Sequence, residues 1–266
     1  MAELRAYAAL FAGQWRSLAS YRASFVVELC TNVIGGLLDV VAVLVFFQTA
    51  TTIAGFTMAE GLLVVSLSSC GFAAADFVVG NIDRLQSYVR AGTLDAVLVR
   101  PLGALPQLVL MDLPMRKALR VVAAGAVLVV ALRLNDLDWT PARLALIVAA
   151  PIAGALFFGS IFVISASLAF WWVESGEIGN AFTYGGRDFS AYPTSVYEGW
   201  FRAIFAYGMG FGFVAYQPAL ALLGRADPLG LPVWTGFVSP LVALVAVAAA
   251  WSVWRAGIRH YRSTGS

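Results

Sequence analysis

The stretch LALIVAAPIAGALFFGSIFVISASLAFWW, from Leu144 to Trp172, decides the fold of this chain. It holds no charged side chain and exceeds the ~20 apolar residues that carry an α-helix across a bilayer. Five more apolar stretches surround it, at about Phe25 to Phe47, Met58 to Val79, Pro114 to Leu134, Trp200 to Tyr216 and Trp234 to Trp254. The reading is an all-α polytopic membrane protein, with six transmembrane helices in a single domain over residues 1–266.

Composition points the same way. Of 266 residues 61% are hydrophobic and 12% charged, against about 45–50% and about 25% in ordinary soluble domains. What lies between the spans fits loops and interfacial segments. Residues 1–23 place Leu4, Tyr7, Ala8, Phe11, Trp15 and Leu18 on one helical face, an amphipathic helix along the membrane surface. Pro151 and Pro240 fall inside the fourth and sixth stretches and should kink them. Trp234, Trp251 and Trp254 suit interfacial aromatic belts. After the fifth span, Ala219 to Leu223 is too short to cross and is expected as a half-inserted or surface helix on the outer side.

Basic residues orient the chain. With the N-terminus inside, 14 of the 17 Lys and Arg residues fall on the cytoplasmic side, leaving Arg133, Arg143 and Arg225 outside. Both termini are then cytoplasmic. The uncharged core of the third span is short, so Arg116, Lys117 and Arg120 are expected to snorkel toward headgroups. Glu174, Glu177, Arg187, Asp188 and Glu198 fall in the cytoplasmic connection before the fifth span and read as a solvated face.

Several chemistries are excluded. The one lysine, Lys117, follows Arg116, so no G-x-x-x-x-G-K-[ST] phosphate loop exists, and any ATP must be bound by another chain. The one histidine, His260, sits in the polar tail, which removes Ser-His, Cys-His and multi-His zinc arrangements. Cys30 and Cys70 lie in apolar runs and act as small hydrophobes. No metal site and no nucleic-acid partner are expected, and the chain is not read as an enzyme.

Polar residues inside spans are candidates for function, because ionisable groups there are costly. Glu28, Asn32, Gly35 and Asp39 share one stripe of the first span, which either lines a substrate path or packs on a partner helix. Ser69, Ala73, Asp76 and Gly80 form a similar stripe on the second, with Asp76 near enough to the inner interface to be solvated. Gly208 and Gly212 form a G-x-x-x-G pattern suited to helix packing.

The longest cytoplasmic insertion spans residues 80–113. Asn81 to Ala91 can form a short helix, Gly92 can end it, Thr93 can cap a second with Asp95 in its first turn, and Pro101 stops that one. Its Gly92, Thr93, Leu94, Asp95, Leu98, Arg100, Pro101 and Leu102 follow a G-T-L-D-x-x-L-x-R-P-L pattern, by which the chain resembles the six-span branch of ABC-2 type exporter permeases. A second stretch, with Tyr192, Pro193, Tyr197, Tyr216, Pro218 and Ala219, resembles the same branch, although AYGMG at Ala206 to Gly210 replaces a proline-containing segment.

The resemblance implies that 80–113 is a coupling region. Asp83, Arg84, Tyr88, Arg90, Gly92, Thr93 and Asp95 would meet a separate ATPase, which carries the ATP and Mg. It further implies a permease subunit of an ATP-binding cassette exporter, with an ATPase dimer and a second permease as partners, a heterodimer being favoured. The Arg-over-Lys bias and the Ala/Gly richness suggest a GC-rich bacterial genome and hence a bacterial cytoplasmic membrane. Glu28, Asn32 and Asp39 would line half of a path for a small amphipathic or cationic compound. The competing reading from another class is an ion-coupled transporter or channel that uses Glu28 and Asp39 directly.

Overall fold

The computed structural model describes residues 55–111 and 117–262, with isolated positions between residues 31 and 53. Residues 1–23, Glu28, Cys30, Asn32, Asp39 and Arg116 therefore lie outside the described residues.

Helix α1, Met58–Val79, begins where the sequence expects it. Thr57 and Glu60 form a reciprocal capping box, with the Thr57 N–H donating to Glu60 Oε2 at 2.8 Å. The chain runs on through a 3-10 turn, Gly80–Arg84, into α2, Leu85–Arg90. Helices α3, Leu94–Leu98, and α4, Ala104–Met111, complete a compact knob. Then follow α5, Ala118–Leu134, and α6, Pro141–Ser167, which has Thr140 as its side-chain cap and a 3-10 extension, Leu168–Phe170. Helix α7 is Gly176–Ala191 and α8 is Gly199–Arg202, which passes into a π-helical turn, Ala203–Gly208. Helix α9 is Tyr216–Leu223, and α10 is Ser239–His260. No strand is present among the described residues.

The continuous helical stretches Met58–Arg90, Pro141–Phe170 and Val233–His260 are each long and apolar enough to cross a membrane. At 17 residues, α5 is about 26 Å long, a little short of a ~30 Å hydrocarbon core.

Helix α6 is central, packed between α1 and α10 with α7 alongside, while α5 covers the other side of α1. Where α1 crosses α6, glycine meets glycine: a Cβ added at Gly71 would lie 2.9 Å from the Gly154 Cα. The missing side chains let the two backbones touch, which matters because helices in lipid associate through close van der Waals packing and gain little from leaving the solvent. Next to this crossing, Phe72 inserts among Phe158, Phe162 and Tyr184, with ring centroids 5.3 to 5.7 Å apart.

The structure corrects several expectations. Residues 176–191, read as a cytoplasmic connection, form α7 inside the bundle. Gly176 lies against Gln86, Tyr184 against Phe72, and Ala191 shares a cleft with Gly61 and Val65 near the start of α1. Helix α7 therefore runs antiparallel to α1 for most of its length.

The expected fifth span, Trp200–Tyr216, is broken. The π-helical turn ends before Gly210, whose φ of +93° favours glycine, and a 3-10 turn, Phe211–Phe213, follows. Gly208 and Gly212 thus fall on either side of a break, and Gly212 packs against Ala206 of the same hairpin. Of the two alternatives for the short stretch that follows, burial of every residue from Tyr216 to Leu222 in helix α9 selects the inserted helix over the surface one.

Pro240 sits in the first turn of α10, where its missing N–H has no intrahelical partner to lose, so it starts the helix instead of kinking it. Trp254 is buried 5.3 Å from the Phe170 ring, and so belongs to the core and not to an interfacial belt.

Candidate functional site

The knob has two faces. Ile82, Leu85, Val89, Leu94, Val97 and Leu108 are buried in the cluster that also contains Phe162, Phe170 and Trp254. Arg84, Arg90, Thr93, Ala96, Val99 and Arg100 are exposed on the other side, Val99 by 85%.

Local sequence explains its shape. Gly92 takes the left-handed conformation at φ +66°, which turns the chain between α2 and α3. Thr93 does not cap α3 through its side chain. Its hydroxyl turns back to the Tyr88 carbonyl at 3.4 Å, because the Thr93 backbone is already helical and leaves no cap geometry. Helix α3 ends at Leu98, and the Arg100 to Leu102 turn behind it is held by Gln107. The buried Gln107 Nε2 donates to the Val97 carbonyl at 3.3 Å and the Leu102 carbonyl at 2.9 Å.

The candidate coupling residues separate accordingly. Arg84, Arg90 and Thr93 lie on the exposed face. Arg90 reaches Glu174 at 3.9 Å with both side chains mostly in solvent, a contact worth little. Asp83 instead turns inward, lining a small cleft with Gln86, Ser175 and Asn180. Tyr88 packs against the core cluster. Asp95 accepts a hydrogen bond from Tyr261 Oη at 3.1 Å. Burial, and then this bond, hold the Tyr261 hydroxyl above the usual tyrosine range.

Just above the knob lies a charge cluster. Asp76 is 2% exposed, 2.7 Å from Lys117 and 3.5 Å from Arg120. These two basic residues therefore turn onto a carboxylate instead of snorkelling to headgroups, because a buried anion within reach offers a stronger partner than the interface. Asp76 is correspondingly not solvated. Arg120 of α5 and Arg187 of α7 both approach the Phe72 ring, each 5.5 Å from its centroid.

At the far end of the bundle, Asp227 is buried in a polar network. It accepts from Tyr216 Oη at 3.0 Å, Gln217 Nε2 at 2.7 Å and the Leu229 N–H at 3.0 Å, while Thr235 donates to Gln217 Oε1 at 2.8 Å. Arg225 pairs with Glu60 at 2.7 Å and covers the Phe56 ring at 4.7 Å. Together these contacts seal the hairpin that contains α9 onto the start of α1.

Helix α7 carries the remaining unusual feature. Its buried face holds Gly179, Thr183, Gly186, Phe189 and Ser190, and its exposed face aligns Glu177, Ala181, Tyr184 and Asp188 at helical spacing. Among the described residues, no group of three His, Cys, Asp or Glu converges to hold a metal. Sequence reasoning missed this face, Gln107 and Asp227. The i, i+4, i+7, i+11 pattern was the available signal for α7, while Gln107 and Asp227 each need a partner ten or eleven residues away that no local pattern marks.

These features define a helical protein with membrane-spanning apolar helices, a compact two-faced knob at one end and a hairpin sealed onto the bundle at the other. A family model described as ABC-2 family transporter protein matches residues 33–265, and the chain belongs to that family. It is accordingly a membrane permease of an ABC-type transporter, the non-catalytic transmembrane component that partners with an ABC ATPase. No curated protein and no solved structure matches the chain.

Proposed function

We propose that this permease is one of two in an exporter of small amphipathic or cationic compounds, in a bacterial cytoplasmic membrane. Its knob faces the cytoplasm and receives the ATPase dimer, on which ATP and Mg are bound. A second, different permease completes the path.

One observation carries this reading: the knob is exposed on one face and locked to the bundle on the other. Its core residues share a cluster with α6 and α10, and Asp95 is tied to Tyr261 beyond the end of α10. A push on Arg84, Arg90 or Val99 is thereby delivered to helices and not absorbed by a loop. The path is proposed along the Glu177, Tyr184 and Asp188 face of α7, together with Glu28, Asn32 and Asp39 of the first span. Carboxylates on both suit a cationic substrate.

Charge reversal tests the docking. Arg84→Glu with Arg90→Glu should abolish co-purification with the ATPase and its membrane-stimulated turnover, while the permease stays monodisperse. Unchanged assembly and turnover would overturn docking at the knob. A purified permease that moves substrate under an ion gradient without an ATPase would overturn the ATP-driven reading.

A further inference from the structure

We infer that a lateral groove of this permease holds an acyl chain of an anionic phospholipid from the knob-side leaflet, with Arg255 beside its headgroup.

The groove has a volume of about 610 Å³ and lies between α1, α5, α6 and α10. Gly125, Ile152, Ala155 and Val247 line it, and Trp251 closes one side. Ser160 is the one hydroxyl in the lining, and that group is already spent on the Leu156 carbonyl at 2.7 Å. Apart from the Trp251 indole N–H and the weakly polar Cys70 thiol, the rest of the described lining is hydrocarbon, and hydrocarbon is what the groove fits.

Position and length select the hydrocarbon. Along α6 the lining runs from Pro151 to Val163, about 18 Å of helix, which is close to one leaflet of a ~30 Å hydrocarbon core. Along α1 it runs from Cys70 to Val79 and stops against Leu105 of the knob, so it occupies the knob-side half of the bundle.

Charge selects the headgroup. Arg255 is exposed and lies 5.6 Å from the Trp251 ring, one helical turn nearer the knob than the groove wall. Among the described residues it pairs with no carboxylate. Its guanidinium is thus available to a phosphate at the depth where headgroups lie. This assignment does not depend on the direction of transport or on the substrate.

The test uses the full-length chain in phosphatidylcholine nanodiscs doped with phosphatidylglycerol or phosphatidylcholine brominated on the acyl chain. The fluorescence component assigned to Trp251, by difference from Trp251→Phe, reports occupancy. Brominated phosphatidylglycerol should quench it with about fivefold higher apparent affinity than brominated phosphatidylcholine, the equivalent of ~1 kcal/mol from one basic residue at an anionic surface.

Arg255→Gln should make the two lipids equal. Gly125→Phe should remove the quenching; a Cβ there meets nothing within 4 Å, so the added ring has the groove to enter. Val247→Phe fills the groove from the opposite wall and should do the same. Equal quenching by both lipids in the unmodified protein would overturn the proposal. So would a preference for phosphatidylglycerol that survives both filling substitutions.

Discussion

Tyr261 Oη donates to Asp95 Oδ1 at 3.1 Å, joining the residue that follows α10 to the first turn of α3. The Tyr261 ring also packs edge-on against Phe170 at 6.1 Å, so the hydroxyl can be removed with the ring left in place. Tyr261→Phe should cost about 1.5 kcal/mol, the worth of a hydrogen bond to a charged acceptor. Amide exchange across Leu94–Leu98 should speed up about tenfold, with α1 and α6 unchanged. Because the folded state raises the tyrosine pKa, the contribution is complete below about pH 10 and fades only as pH rises beyond it. Exchange in the unmodified protein should therefore show no specific change at this link between pH 6 and 8.

Asp76→Asn leaves Lys117 and Arg120 without their shared carboxylate. Breaking a fully buried pair costs about 3–5 kcal/mol, and the two basic side chains are about a quarter exposed, so a loss nearer ~2 kcal/mol is expected. Thermal unfolding of the purified protein should begin at lower temperature. Adding Lys117→Met should recover part of the loss, since one unpaired cation is then removed.

At the α1 and α6 crossing there is no room for a side chain. Gly71→Val should separate the helices at a cost of roughly 1–3 kcal/mol, seen as lower yield and broader elution of detergent-solubilised protein. Gly125→Ala, a glycine facing open space, should match the unmodified protein in the same measurement.

Asp227→Ala strips the acceptor from Tyr216, Gln217 and the Leu229 N–H together. Each orphaned buried donor costs about 1–3 kcal/mol. Limited proteolysis should then cut between Gly224 and Pro232 at protease concentrations that leave the unmodified hairpin intact, while cleavage of the knob stays the same.

The two motifs read in the sequence have clear physical roles. Gly92 supplies the left-handed turn, Leu94 the buried anchor and Asp95 the tie to Tyr261. In the second motif, Tyr197 stacks on Phe189 at 4.3 Å and Tyr216 holds Asp227. What the motifs do not reveal is which polar residues face outward. Asp83 and Arg84 are adjacent and equally polar, yet one lines a cleft and the other faces solvent.

Span prediction succeeded where burial and hydropathy coincide and failed where they separate. Leu144 to Trp172 is apolar along its whole length, and Pro141–Phe170 is a helix of the kind that crosses membranes. Helix α7 defeats the same reasoning. GEIGNAFTYGGRDFSA is polar and glycine-rich, so hydropathy assigns it to water, while its glycines allow close approach, Gly179 to Ser165 of α6 and Gly186 to the Phe211 ring. Conversely, Trp200 to Tyr216 is apolar but cannot stay one helix, because Gly210 takes a positive φ and the chain doubles back toward Asp227.

By itself the sequence determined a helical membrane protein, the family, the position of the knob and the absence of a P-loop. These follow from local properties: runs of apolar side chains, a lone lysine in the wrong context, and turn residues in fixed order. Only the tertiary structure decided that Asp76 is paired, that α7 lies within the bundle, that α9 is buried and that Asp95 is tied to Tyr261. Each of those depends on partners distant in the chain, and a pairing energy exists only once the backbone has brought the two groups within a few ångströms.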